Sequence, residues 1–139
     1  MGYYEAYKAV FDAVRNVLSG ISSINQVNVG EQLRVRSLPL AVVNPEETEI
    51  TQVDIGGTLK NKINFTVIIV VRETEPKDWF TEVVLIMGEV VDAFLADRTL
   101  NETVKDVTPT FFAPGEIRFT NKLYYGGAVR FSALTFYTP

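Results

Sequence analysis

Apolar residues at Tyr3, Tyr7, Val10, Val14, Val17 and Ile21 recur at steps of three and four, which predicts a helix over about 3–19 with Gly20 as its C-cap. Glu5, Lys8, Asp12 and Arg15 fall on the opposite face, spaced so that opposite charges meet. Tyr4, Phe11 and Leu18 add a second apolar line, so the stripe is expected to be wide, covered by the chain's own core or by a partner.

From residue 27 to 44 the pattern shortens to strand-like alternation. Leu33 and Val35 alternate with Arg34 and Arg36, and an apolar run over 38–43 follows, which Pro39 is expected to start rather than interrupt. Asn44-Pro45 reads as a turn, and residues 48–55 and 61–72 read as strands joined at the Gly56-Gly57 bend. The second of these strands is apolar on both sides, with Phe65, Val67 and Ile69 on one and Ile68 and Val70 on the other, and so is expected to be central.

Glu75-Pro76-Lys77-Asp78 predicts the start of a second helix, because proline suits the first helical position and acidic residues suit the positive end of the dipole. Phe80, Val83, Val84, Met87, Val90, Val91, Phe94 and Leu95 give this helix a broad apolar face as far as about Asp97. The tail returns to strand over 102–112, a turn at Pro114-Gly115, a strand over 116–119 and another over 124–137 interrupted at Gly126-Gly127.

The order predicts an α+β fold: one mostly antiparallel β-sheet, with mixed pairing left open, and two helices packed on one face. Residues 1–139 are expected to form a single domain. Two helices cover one side only, so Ile68, Val70, Leu134 and Phe136 on the other flank are expected to meet another chain or a curled sheet.

Composition narrows the chemistry. The chain has no cysteine and no histidine, which removes disulfides, thiolate catalysis, zinc–sulfur sites and every Ser-His or Cys-His nucleophile. Its formal net charge of −4 argues against a surface built to grip nucleic acid. The first eight residues lack the pattern of a signal peptide, and the apolar run over 67–71 is far too short for a membrane span, so a soluble protein made in the cytoplasm is expected.

Five groups remain as candidates. Glu89, Asp92 and Asp97 lie at helical spacing and read as a solvated face before they read as a cation site. Gly56-Gly57-Thr58-Leu59-Lys60 has the composition of a phosphate loop without its spacing, and so reads as a hairpin. Gly126-Gly127 suggests a bulge or a close backbone crossing. Arg34, Arg36, Lys60 and Lys62, with Arg118 and Lys122, are candidates to line a lumen facing DNA, although charges on exposed strands also block edge-to-edge pairing. Ile50, Val53, Ile55 and Leu59 alternate poorly for a half-buried strand and form the candidate subunit interface, a hairpin arm reaching a neighbour.

The element order around Val27-Asn28-Val29-Gly30-Glu31, Leu38-Pro39-Leu40-Ala41-Val42-Val43-Asn44-Pro45, the hairpin, the second helix and the β-rich tail resembles the tail-terminator, or tail-completion, proteins of long-tailed bacteriophages, the minor tail protein U type. The resemblance implies a hexameric ring that caps the tail tube, stops its polymerisation and offers the surface to which the head joins. It further implies self-association, contacts with tail-tube and head–tail connector proteins, DNA passing through without sequence-specific binding, and residence in the virion tail. It implies no catalytic residue and no cofactor. Head–tail joining and tail-tube proteins share related shapes and stay open as alternatives. So does a small-ligand module lined by Trp79, Phe80, Tyr124 and Tyr125.

Overall fold

In the computed structural model, which describes residues 2–31, 34–73, 79–119 and 121–139, two helices lie on one face of a five-stranded sheet. The elements run α1 (Tyr3–Ser19), β1 (Gln26–Val29), β2 (Leu40–Gln52), β3 (Leu59–Arg72), α2 (Trp79–Ala96), β4 (Asp106–Phe119) and β5 (Lys122–Tyr137). The sheet order is β1-β2-β3-β5-β4; β1 and β2 pair in parallel and every other pair is antiparallel, so the α+β expectation holds with mixed pairing. β3 is central, as its two apolar faces predict.

One core fills the space between the helices and the sheet. Val10, Phe11, Val14 and Leu18 of α1 meet Val83, Met87, Val90 and Phe94 of α2 over Ile63, Phe65, Val67 and Ile69 of β3 and Val129 and Phe131 of β5. Phe94 sits 4.3 Å from Phe131 and 6.0 Å from Phe65, centroid to centroid, an aromatic cluster worth more than its buried area alone. Phe11 and Leu18 join this face while Tyr4 stays in solvent, so the wide stripe of α1 is a core stripe. Gly20 caps α1 by donating its N–H to Asn16 and Val17, in right-handed geometry.

Several sequence signals give way to tertiary context. Asn44-Pro45 is not a turn: β2 runs through it, with a bulge between Pro45 and Thr48. β1 stops opposite Val43, so Pro45 lies on what has become an edge strand, where a missing N–H is tolerated. Buried Asn64 donates to the Glu47 carbonyl at 3.3 Å and satisfies the bulge. Pro114-Gly115 is likewise inside β4, an edge strand, and β5 is not interrupted at Gly126-Gly127. Those two glycines are required by close approach: a Cβ on Gly126 would collide with the Ile69 carbonyl, and one on Gly127 with the Ala113 carbonyl and Met87. Arg34 to Ser37 form no strand, and Leu33 lies outside the described residues, as does the expected helix start over 75–78.

The flank opposite the helices also differs from expectation. Val70 is fully buried there against Leu40 and Tyr124, and Val35, Leu38 and Ile68 pack around them, so the chain's own segment 35–38 seals that end. Farther along, the same face is polar. Lys62 pairs with Glu49 at 3.6 Å and Arg130 with Glu46 at 2.9 Å, and Thr66 and Ser132 lie between them. Leu134 is half-buried, which leaves Phe136 and Phe111 as exposed large apolar side chains of this face.

Candidate assembly surface

The β2–β3 hairpin is covered on its β3 side as far as Leu59, which pairs with Tyr137 of β5, so it is the turn beyond that reaches past the sheet. β1 pairs only with residues 40–43, so the distal part of β2, from Thr48 to Gln52, has β3 on one side and an open edge on the other. At its end the chain reverses over 53–58 through Gly57, whose φ of 87° is the left-handed conformation that only glycine adopts without strain.

This turn is closely tied. Val53 N–H donates to the Thr58 carbonyl at 2.9 Å, Thr58 N–H to an Asp54 carboxylate oxygen at 3.0 Å, and the Gln52 side-chain amide to the Asp54 carbonyl at 2.9 Å. The bonds donated by the Thr58 backbone and hydroxyl hold the Asp54 carboxyl below the usual carboxylate range. Thr58 also meets Thr138 at 3.3 Å, which ties the turn to the end of the chain.

What this ordered turn displays is apolar. Ile55 is 102% exposed, Ile50 53% and Val53 48%. Leu59 adjoins the turn in the row Gln52–Leu59–Tyr137 but is half-buried there, so it is not part of the exposed apolar set. Burying an aliphatic side chain of this size is worth about 1.5–3 kcal/mol, so three of them held in water favour a partner surface.

The basic candidates do not form one wall. Lys60 and Lys62 lie on the open face near the arm, with Lys62 drawn to Glu49. Arg34 and Arg36 are exposed beside β1, where Gln26 bonds the Arg34 carbonyl and the Arg36 N–H. That is the end of the sheet near Val70, eight residues of β3 from Lys62 and so roughly 25 Å away at strand rise. Lys122 pairs with Glu73 at 3.1 Å, and Arg118 is exposed on β4.

Of the four aromatic residues expected to line a ligand pocket, Trp79, Phe80 and Tyr125 are neighbours and Tyr124 lies apart from them. Trp79 stacks on Tyr125 at 5.1 Å, Phe80 points outward with 57% exposure, and Tyr124 lies in the small cluster on the other sheet face. A cavity of about 240 Å³ lies elsewhere, where the first turn of α1 meets the distal sheet, lined by Tyr3, Tyr7, Asn61, Ile63, Thr135 and Tyr137 among others. Tyr3 donates its hydroxyl to Asn61 there at 2.9 Å.

The carboxylates of α2 do not converge. Glu89 accepts a bond from Ser23 at 3.2 Å, Asp97 accepts the Asn101 N–H at 3.2 Å, and Asp92 is exposed. Among the described residues no cluster of acidic side chains is arranged to hold a metal ion, and no described helix is long and apolar enough to cross a membrane.

A second apolar surface escaped the sequence reading. Phe80, Leu85 and Leu95 project from the outer side of α2 with 57%, 63% and 41% exposure, around Gly88 in mid-helix. The available signal was an interior glycine in a strongly helical pattern with no capping role. No family model matches the chain, and no curated protein matches it.

Proposed function

We propose that the chain is a structural subunit that closes into a ring with its own copies, in the manner of the bacteriophage tail terminators it resembles. In this role the ring caps the tail tube, blocks addition of further tube subunits and presents the surface for head joining. Its other partners are then the tail-tube and connector proteins, and its place is the virion tail.

The observation that carries the reading is the tied turn that holds Ile55 wholly in solvent, with Ile50 and Val53 beside it. An ordered loop that aims aliphatic side chains at water gains nothing within its own fold. The sheet flank away from the helices offers less apolar surface than expected, being sealed near Val70 and polar beyond it apart from Phe111 and Phe136. The arm at the end of the sheet and the outer side of α2 lie on different parts of the subunit, an arrangement that suits heterologous, ring-closing contacts.

A net charge of −4 suits a conduit that lets DNA pass without retaining its phosphates. The small-ligand reading has less support, since Trp79, Phe80, Tyr124 and Tyr125 line neither the cavity of about 240 Å³ beside Tyr3 nor the more open one of about 430 Å³ beside Thr103 and Phe136. Electron microscopy of the purified protein, alone and mixed with its tail-tube protein, tests the proposal. Rings with a central hole are expected, whereas solitary particles in both samples contradict it.

A further inference from the structure

Gly88 stands in the middle of α2 with no reason inside its own fold to be glycine. Apart from the helix's own backbone, no described atom lies within 4 Å of where its Cβ would be. Gly126 and Gly127 differ, since backbone carbonyls press directly against them. A glycine inside a helix weakens it relative to alanine, so Gly88 lowers the stability of the subunit without easing any internal contact.

Its neighbours at three and four residues are Val84, Leu85, Val91 and Asp92, so the missing side chain leaves a dimple with a mainly apolar rim. Leu85 is 63% exposed, and Phe80 and Leu95 extend the apolar surface to either side along the helix. The rim is shaped to admit a single protruding aliphatic group.

The same chain displays such a group. Ile55 is 102% exposed at the apex of the tied hairpin turn, with Val53 and Ile50 behind it. Charge matches in part: Asp54 beside Ile55 has the sign of Asp92, and Lys60 farther along the arm has the opposite one. Lys60 flanks the arm and Asp92 flanks the dimple, both exposed and both without an ion pair among the described residues. Within one subunit the turn lies past the end of the sheet while α2 packs over β4 and β5, so one copy can donate its arm and receive another at once.

We infer that the dimple at Gly88 on α2 receives the Ile55 turn of a second copy of this chain. The inference rests on the ring-forming reading and names the two surfaces that meet. It assigns a receptor to the arm, and it explains an otherwise costly glycine by the close approach of a neighbouring subunit.

Replacing Gly88 tests it, because fold stability and assembly should then move in opposite directions. Gly88→Ala and Gly88→Leu are expected to raise the thermal unfolding midpoint, since the helix gains a better former and the space is open. Sedimentation velocity should at the same time show association weakened at least tenfold, more for leucine than for alanine. The absence of native cysteine permits a second readout. In a chain carrying Gly56→Cys and Asp92→Cys, both at exposed positions beside the contact, mild oxidation should give a ladder of disulfide-linked copies on a non-reducing gel.

Each single cysteine variant should give dimers at most. Assembly of Gly88→Leu at wild-type strength, or oxidation of the double variant to symmetric dimers only, overturns the inference and leaves the ring reading standing. A wild-type chain that stays monomeric at every concentration, with and without tail-tube protein, overturns both.

Discussion

The two ends of the β2–β3 hairpin carry apolar residues for opposite reasons. Between Ile63 and Val71 β3 is sealed: Phe65 meets Phe11, Phe94 and Phe131, and Val67 and Ile69 have no exposed surface. At the distal end Ile50 of β2 and Val53 and Ile55 of the hydrogen-bonded turn stand in solvent. Hydrophobicity at the first end builds the subunit. At the second it is free to join subunits, and the two should respond differently to the same kind of change.

The largest effect is expected at the sealed end. Phe94→Ala removes a ring between Phe65 and Phe131 and should lower stability by about 3–5 kcal/mol in urea or thermal unfolding. Assembly should be lost with the fold. Gly126→Ala should follow, costing about 1–3 kcal/mol or more, because the added methyl meets the Ile69 carbonyl and the ladder must shift. A circular-dichroism melt of each variant checks both.

Smaller effects belong to the arm. The bonds from Thr58 depress the Asp54 pKa in the folded chain, so this carboxylate favours the tied turn above the ordinary aspartate value of about 4. The contribution fades as pH falls through the lowered folded pKa. Asp54→Asn should therefore weaken association at neutral pH, and its difference from wild type should shrink as the solution is acidified past that point, with little change in the unfolding midpoint. Sedimentation at stepped pH measures it. The smallest change in stability, within about 0.5 kcal/mol, is expected for Ile55→Asp, because the side chain it replaces touches so little of its own subunit.

Much of the fold was legible because its periodic signals are strong and agree with one another. The run apolar on both sides, with Phe65, Val67 and Ile69 on one and Ile68 and Val70 on the other, marked a central strand, and Gly56-Gly57 marked the bend at the end of the arm. Proline and glycine misled where tertiary context decides their meaning. Pro45 and Pro114 are tolerated inside strands because those stretches form sheet edges, and Gly126-Gly127 serve close packing rather than a break.

The sealed flank could not be read from local pattern at all. It depends on Val35 and Leu38 folding back over Val70, a pairing across more than thirty residues that no short-range periodicity encodes. The candidate arm was legible at Ile50, Val53 and Ile55, since those positions fit a half-buried strand poorly. Leu59 was drawn into the set by spacing although it is half-buried beside the turn.

Sedimentation velocity of the wild-type chain beside Ile55→Asp, with melting curves of both, addresses most directly whether the arm's apolar tip exists to join copies. Wild type should sediment as a closed multi-subunit species and the variant as a monomer of equal melting temperature. Identical sedimentation of the two, or a variant that unfolds several degrees earlier, would contradict the division of the hairpin into a building end and a joining end.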